Sequence, residues 1–198
     1  MGRPNLKKKV IEEAAIELFA TKGLARTVIR DIAQAAQVTE GALYRHYKSK
    51  DELAWSLFQR EIDRFTVPFS ELLLQPGSAS QLLEAAVQFI YDYYQQQPIH
   101  FTFILLTQHG FPDASLRQQT NPNDIIIRFI SQLLDQPNDQ HAVLMAALVM
   151  GLVMQPVVMH GNGRLTTHPV DCVAEVTAAV CRVLNITDLL QSEGDEPC

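Results

Sequence analysis

Apolar residues recur at helical spacing along almost the whole chain. Val10, Ile11, Ala14, Ala15, Leu18 and Phe19 return at intervals of three, four and seven, which predicts an amphipathic first helix ended by Gly23. Thr27 is expected to cap a short helix carrying Ile29, Ile32, Ala33 and Ala36. Thr39 is expected to cap a third helix, about two turns long, with Ala42, Leu43 and Tyr47 on its apolar side. Ser49 and Glu52 form a capping box at the start of a fourth helix, whose stripe of Leu53, Leu57, Ile62, Phe65 and Phe69 runs toward Pro76 and Gly77.

Similar punctuation divides the rest. Ser78 and Gln81 repeat the capping-box pattern before a helix that runs to Pro98. Ile99 to Gln108 reads as a short apolar helix stopped by Gly110 and Pro112. Asn121 and Pro122 open the next helix, which closes near Pro137. Asn138 opens a long apolar helix that persists to His160, with a kink expected at Pro156 because its ring removes a backbone donor. Thr167 or His168 caps a last helix with the stripe Val173, Val176, Val180 and Leu184. Nothing in the pattern calls for a strand. The expected fold class is all-α, with about nine helices. Three small helices form an N-terminal domain over residues 1–48, a larger bundle occupies 49–190, and 191–198 is a polar tail.

Charge changes this picture of a plain bundle. The 198-residue chain carries a formal charge of −6, which by itself disfavours a polyanionic partner. Residues 1–50, however, hold ten Lys and Arg against five acids, a net +5, and the remainder holds six Arg against seventeen acids, a net −11. A basic quarter joined to an acidic remainder indicates two jobs, the first directed at a polyanion.

Several function classes are disfavoured. The longest apolar run, Ala142 to Met154, is shorter than the roughly 17–25 residues a membrane span needs, so no membrane partner is expected. Glu12, Glu13 and Glu17 interrupt the apolar stretch that a signal peptide would need. Cys172 and Cys181 would lie on opposite faces of a helix, no Cys or His cluster has metal-ligand spacing, and a reduced cytoplasm is the expected location. No metal and no cofactor is expected. The histidines His100, His109, His141, His160 and His168 fall into no triad, metal or phosphate-loop motif, so catalysis is disfavoured.

Residues 24–53 carry the functional signal. Two short helices joined by a brief turn, the second displaying polar and aromatic side chains, make a helix-turn-helix, a unit that lays its second helix in the major groove. Helix starts at Thr27, Thr39 and Ser49 offer N–H groups and a positive dipole end to phosphate, and Tyr44, His46, Lys48 and Lys50 add donors. Arginine pairs with guanine O6 and N7, glutamate accepts from cytosine N4, and an alanine methyl meets that of thymine.

Thr27, Ile32, Ala33, Ala36, Val38, Gly41, Leu43, Tyr44, His46, Tyr47, Lys48, Lys50 and Leu53, with the Leu18 to Gly23 end of the first helix, resemble the TetR-like (tetracycline-repressor or AcrR-type) family of bacterial transcriptional regulators. The resemblance covers roughly the first 55 residues. It implies a homodimeric regulator, by default a repressor, that binds a pseudo-palindromic operator and is released by a small effector. Phosphate contacts are then expected from Thr27, Tyr44, His46, Lys48 and Lys50, and base reading from Arg30, Thr39, Glu40, Ala42 and Arg45. Gly2, Arg3 and Pro4 with Lys7, Lys8 and Lys9 are expected to trail along a neighbouring groove. Tyr47 stands where the family usually has Phe, which favours packing over phosphate contact, and Gln37 takes the turn position usually held by Gly.

The family places an effector cavity in the second domain. Candidate lining residues are Phe65, Phe89, Tyr93, Phe101, Phe103, Leu105, His109, Met145 and Met150. Scarce cations there favour an amphipathic or cationic apolar effector of unknown identity, Arg128 being the main exception. The last two helices are the expected dimer seam, through Ala142, Met150, Met154, Val173, Val176, Val180 and Leu184. The rival readings are an activator, a DNA-associated protein whose rear domain binds another protein, and, more remotely, an enzyme.

Glu40 is often a basic or neutral residue in the family, and an acid facing phosphates weakens indiscriminate binding. Replacing it (Glu40→Gln) is predicted to raise non-specific DNA binding and to relax preference at one base position, checked by binding-site selection. An unchanged preference overturns the assignment.

Overall fold

The computed structural model describes residues 3–107, 111, 121–135 and 140–187. Among these residues regular structure is helical throughout: α1 (Arg3–Lys22), α2 (Ile29–Ala35), α3 (Glu40–Tyr44), α4 (Lys50–Leu73), α5 (Ala79–Gln96), α6 (Pro98–Thr107), α7 (Pro122–Leu133), α8 (Gln140–Gly161) and α9 (Val173–Leu184), with a 3₁₀ turn at Pro169–Cys172. The all-α expectation holds. The tail 191–198, the helix end near Pro137 and the helix opening at Asn138 lie outside the described residues.

Packing divides the chain into two compact units, Met1–Phe65 with Gln97–Thr120, and Thr66–Gln96 with Asn121–Cys198. This division differs from a cut after residue 48. Residues 50–65 of α4 and all of α6 pack with the first three helices, while residues 66–73 belong to the second unit. In the first unit Ile11, Ile16, Phe19, Ile32, Leu43, Leu53, Leu57 and Phe103 are buried, and the rings of Phe19 and Phe103 stack with centroids 6.1 Å apart. In the second, Phe69, Leu83, Val87, Ile130, Ala146 and Val180 are buried, and the Tyr91 hydroxyl donates to the Val153 carbonyl at 3.0 Å.

Local bonds explain where most helices start. Thr39 Oγ1 accepts from the Ala42 N–H at 3.2 Å, and Asn121 Oδ1 accepts from that of Asn123 at 2.9 Å. Ser78 accepts from the Gln81 N–H while the Gln81 amide oxygen accepts from that of Ser78, a complete capping box. Ser49 accepts from the Glu52 N–H, but the Glu52 carboxylate reaches back one residue further, to the N–H of Lys48.

Three expectations need correction. Thr27 does not cap α2. Val28 occupies that position, and the Asp31 carboxylate accepts from its N–H at 3.3 Å. Of the expected N-terminal arm, Arg3 to Lys9 are already helical as part of α1, and Gly2 lies outside the described residues. α8 is 22 residues long, well beyond the run Ala142 to Met154, and is long and apolar enough to cross a membrane by length and composition. Its Ala142, Ala146, Val149, Val153 and Val157 are nevertheless buried within the second unit, and Gln140, His141, Gln155 and His160 interrupt its surface.

The turn between α2 and α3 carries a local conflict. Gln37 has φ of 54°, the left-handed conformation. The Val38 N–H donates to the Ala33 carbonyl at 2.9 Å and the Gln37 N–H to that of Gln34 at 3.1 Å, the paired bonds of a Schellman ending. A side chain in this conformation costs about 1–2 kcal/mol, and glycine returns about 0.5–1 kcal/mol of that as unfolded-state entropy. The substitution Gln37→Gly is therefore predicted to stabilise the chain by about 0.5–1 kcal/mol in urea unfolding. A loss of stability contradicts the strain assignment.

Candidate nucleic-acid interface and effector cavity

The short α3 is fixed from one side only. Leu43 is fully buried, and its carbonyl accepts from the N–H groups of His46 and Tyr47 at 2.9 and 3.1 Å, continuing the turn beyond the five helical residues. The opposite side is open. Arg30, Thr39, Glu40 and Arg45 are exposed and Ala42 is half-buried. Arg30, Glu40 and Arg45 make no ion pair among the described residues, which leaves their charged ends available.

The five expected phosphate contacts separate. Tyr44 is 52% exposed, Lys48 is exposed, and His46 is half-buried. Lys50 is half-buried and donates through Nζ to the Leu24 carbonyl at 2.9 Å, bracing the loop between α1 and α2. Thr27 is a correction. It is fully buried, its hydroxyl donates to the Gly23 carbonyl at 2.8 Å, and its N–H serves the same carbonyl at 3.2 Å, so it closes the end of α1 instead of facing phosphate. Lys8 pairs with Glu12 at 3.7 Å and lies 5.6 Å from the Tyr47 ring centre.

Behind this surface the first unit holds a polar chain. The Tyr47 hydroxyl donates to Glu12, 2.5 Å away, and Arg60 bridges Glu12 at 2.5 Å to Glu61 at 2.9 Å. Arg64 adds a contact to Glu61 at 3.2 Å, and His100 Nδ1 lies 2.9 Å from the other Glu61 oxygen. Burial alone pushes the Glu61 carboxyl up, but the bonds from His100 and Arg60 and the charge of Arg64 outweigh it and bring it down to about 2. Glu12 is lowered in the same way: burial raises it, and the Tyr47 and Arg60 bonds prevail. Burial and the Glu12 bond push the Tyr47 phenol up, so it remains a donor. Tyr47 thus packs, as its position against a usual Phe suggests.

The sequence carried an overlooked signal for this chain. Glu61 follows Leu53 and Leu57 at four-residue spacing, so a carboxylate occupies a core position of α4.

These features match known proteins. Residues 11–57 match the family model for bacterial regulatory proteins of the tetR family. It is over this N-terminal stretch that the chain is similar to TetR-family regulators. A relative, the HTH-type transcriptional repressor KstR2 of Rhodococcus jostii (strain RHA1), is 31% identical over 91 residues, covering 46% of this chain and 44% of that protein. The match thus spans less than half the length of that curated relative. A TetR-family regulator from Bordetella parapertussis 12822 has a similar fold, with TM-score 0.74 and 17% identity over 89% of this chain and 94% of that one. The regulator FadR from Bacillus subtilis, in complex with stearoyl-CoA, gives TM-score 0.67 and 18% identity over 87% of this chain and 97% of that one.

The second unit holds an apolar cavity of about 50 Å³. Phe69 and Leu73 of α4, Val87 and Ile90 of α5, Ile126 and Phe129 of α7, and Met150 and Met154 of α8 are among its lining residues. Of the eight expected lining residues that are described, Met150 lines it. Phe65, Phe101, Phe103 and Leu105 belong to the first unit, where Phe103 is core. Phe89 and Tyr93 instead form an aromatic row with Phe69, at centroid distances of 5.5 and 6.4 Å. Met145 is half-buried on α8 away from that lining, and His109 lies outside the described residues.

The dimer stripe is also corrected. Ala142, Val173, Val180 and Leu184 are buried within the subunit and unavailable to a partner, while Met150, Met154 and Val176 are half-buried. The outward apolar positions are Leu144, Leu148, Val158 and Met159 on α8 and Val183 on α9.

Glu61 lies lower when folded than the ordinary 4.5, so its contribution is complete above that value and is lost as pH falls from about 4.5 toward about 2. Replacing Glu61 with Gln is predicted to cost about 2–3 kcal/mol at pH 7, read by urea unfolding. The difference from the parent protein is expected to shrink as pH falls through that window. A difference independent of pH removes the carboxylate's role.

Proposed function

We propose that the chain is a ligand-responsive homodimeric transcriptional repressor acting in the cytoplasm on a pseudo-palindromic operator. The observation that carries this is the open face of α3. Thr39, Glu40 and Arg45 stand exposed on a helix held rigidly from behind, beside Arg30, Tyr44 and Lys48. Arg30, Thr39, Glu40, Ala42 and Arg45 read bases, and Tyr44, His46, Lys48 and Lys50 hold the backbone, with Lys50 using donors left beyond its bond to Leu24. In this reading residues 1–48 form the reading head, and residues 49–190 serve the effector and the second subunit. A regulator, not an enzyme, is also favoured by the relatives named as repressors.

The dimer uses the outward face of α8. Leu144, Leu148, Gly151, Gln155 and Val158 fall on one side of that helix at spacings of three and four, and a second copy buries that side. Two recognition helices about 34–36 Å apart then meet successive major grooves. Effector release follows from linkage, because a ligand displaces DNA only by binding more tightly to the spacing that does not fit it.

The effector's buried part is hydrocarbon. Every described residue lining the cavity is apolar, and ligands of ordinary size need about 300–1,000 Å³, so entry requires flexible neighbours such as Met150 and Met154 to give way. An amphipathic molecule satisfies this, with its polar end outside the apolar lining. The acyl-CoA complex of the Bacillus subtilis neighbour is consistent with that chemistry, although likeness at 18% identity carries the fold alone.

The test is fluorescence anisotropy on duplex DNA from upstream of the protein's own gene, with a scrambled duplex and a salt titration, beside the Leu148→Glu variant. Sequence-preferring, salt-sensitive binding is expected at one dimer or more per site. The variant is expected to be monomeric by light scattering and to bind about a hundredfold or more weakly. No preference over the scrambled duplex, together with no site recovered from a random library, overturns the reading. A dimeric Leu148→Glu protein overturns the seam.

A further inference from the structure

His100 stands in the first turn of α6 with a carboxylate on each side of its ring. Nδ1 lies 2.9 Å from Oε2 of Glu61 on α4, and Nε2 lies 3.4 Å from Oε2 of Glu13 on α1. Among the described residues, the other charged groups linked to this junction are Arg60 and Arg64 on α4 and Glu12 and Lys8 on α1. An ionised carboxylate only accepts hydrogen bonds, whereas a neutral imidazole has a single N–H. A carboxylate at both nitrogens therefore selects the imidazolium, since the neutral ring turns a lone pair toward one of them. Glu61 has no escape to water, its side chain being 1% exposed, while that of Glu13 is 49% exposed.

The consequence extends beyond α6. Glu61 is tied to Arg60, Arg60 to Glu12, and Glu12 to the hydroxyl of Tyr47. Tyr47 lies three residues beyond the end of α3, and its N–H closes the turn on Leu43. We propose that His100 is a proton-dependent positioning residue, whose imidazolium ties α6 to α1 and α4 and, through Glu61, Arg60 and Glu12, holds Tyr47 and the end of the recognition segment in place. Its effect on DNA affinity rests on the reading of the chain as a DNA-binding regulator. Its effect on Tyr47 does not.

The sign follows from linkage. The Glu61 bond raises the His100 pKa against burial, and the charge of Glu13 adds to it. The stabilisation is complete below the ordinary value of 6.5 and is lost as pH rises through the folded value. DNA affinity is accordingly expected to fall with rising pH above neutrality in the parent protein.

The experiment has two arms on the full chain. Histidine side chains are followed by NMR from pH 5 to pH 9, His100 being assigned among the six histidines by its absence from the His100→Gln variant. His100 is expected to titrate above 6.5, the Tyr47 ring resonances to follow the same midpoint, and Glu13→Gln to lower that midpoint while leaving the fold intact. A His100 midpoint at or below 6.5, or a Tyr47 signal indifferent to it, overturns the proposal whatever the protein binds. The second arm measures anisotropy, over the same pH range, on a duplex selected by the protein from a random library. The parent protein is expected to lose roughly fivefold in affinity on the alkaline side, and His100→Gln to bind weakly without that pH step. An unchanged step in His100→Gln overturns the coupling to DNA. Failure to select any duplex counts against the regulator reading alone, and the NMR arm then decides the proposal.

Discussion

The first unit is organised around one expensive interaction, a fully buried carboxylate on the core face of α4. An ion removed from water costs several kcal/mol unless its partners are placed with good geometry. Glu61 meets that demand with Arg60 and Arg64 from its own helix and His100 from α6. Arg60 in turn needs Glu12, and Glu12 is shared with Tyr47 and Lys8. Arg60 serves both carboxylates and His100 joins Glu61 to α6, so the arrangement specifies one packing of α1, α4 and α6 more sharply than the apolar contacts around it do. Those contacts, such as Phe19 on Phe103, tolerate sliding in a way that directional bonds do not. A rigid back is what a short recognition helix needs, because five residues have no stability of their own.

This explains which parts of the molecule were legible in the sequence. Caps are local bonds, and Thr39, Ser49, Ser78 and Asn121 were readable because each partner lies within three residues. The exposed face of α3 was readable for the same reason: Leu43 identifies the inner side, and the residues around it fall outside. Thr27 misled because a hydroxyl before a helix reads as a cap whether it bonds forward or, as here, back to Gly23. The ionic chain joins residues 35, 39 and 48 positions apart, and periodicity contains no information about such pairs. Only the misplaced carboxylate in the α4 stripe marked that something had to meet it.

The cavity and the seam were misread for a related reason. Periodicity identifies an apolar face without naming its partner. Phe101 and Phe103 are apolar and aromatic, yet they close the core of the first unit, while the cavity belongs to aliphatic positions such as Val87, Ile126 and Leu73. The stripe Val173, Val180 and Leu184 is likewise spent inside the subunit. α8 is apolar on two sides, which is why its composition satisfies the demands of a bilayer, an interior and a partner alike. Burial distinguishes them: one side, from Ala142 to Val157, is occupied, and the other carries Leu144, Leu148 and Val158, with Gly151 and Gln155 set among them. Small and polar residues set among leucines suit close approach of a second helix better than contact with lipid tails.

The same bookkeeping applies to charge and alters what the basic N-terminal quarter means. Its ten Lys and Arg overstate the cations free to meet DNA, since Lys22 is paired with Asp31, Lys8 with Glu12, and Lys50 is turned toward the Leu24 carbonyl. What remains near α3 is Arg30, Arg45 and Lys48, opposed by Glu40. Each phosphate neutralised contributes about 0.9 to the slope of log affinity against log salt, so one such head generates a shallow dependence and weak attachment on its own. In the proposed dimer, two heads linked by the α8 seam multiply that attachment without a new contact, because the second binds at the effective concentration fixed by the first. Glu40 then costs little on a matched operator, where a base amino group meets it, and discourages both heads from settling anywhere else. In the proposed regulator, selectivity rests on this combination of modest charge, one acid at the reading face and an obligatory pair of heads.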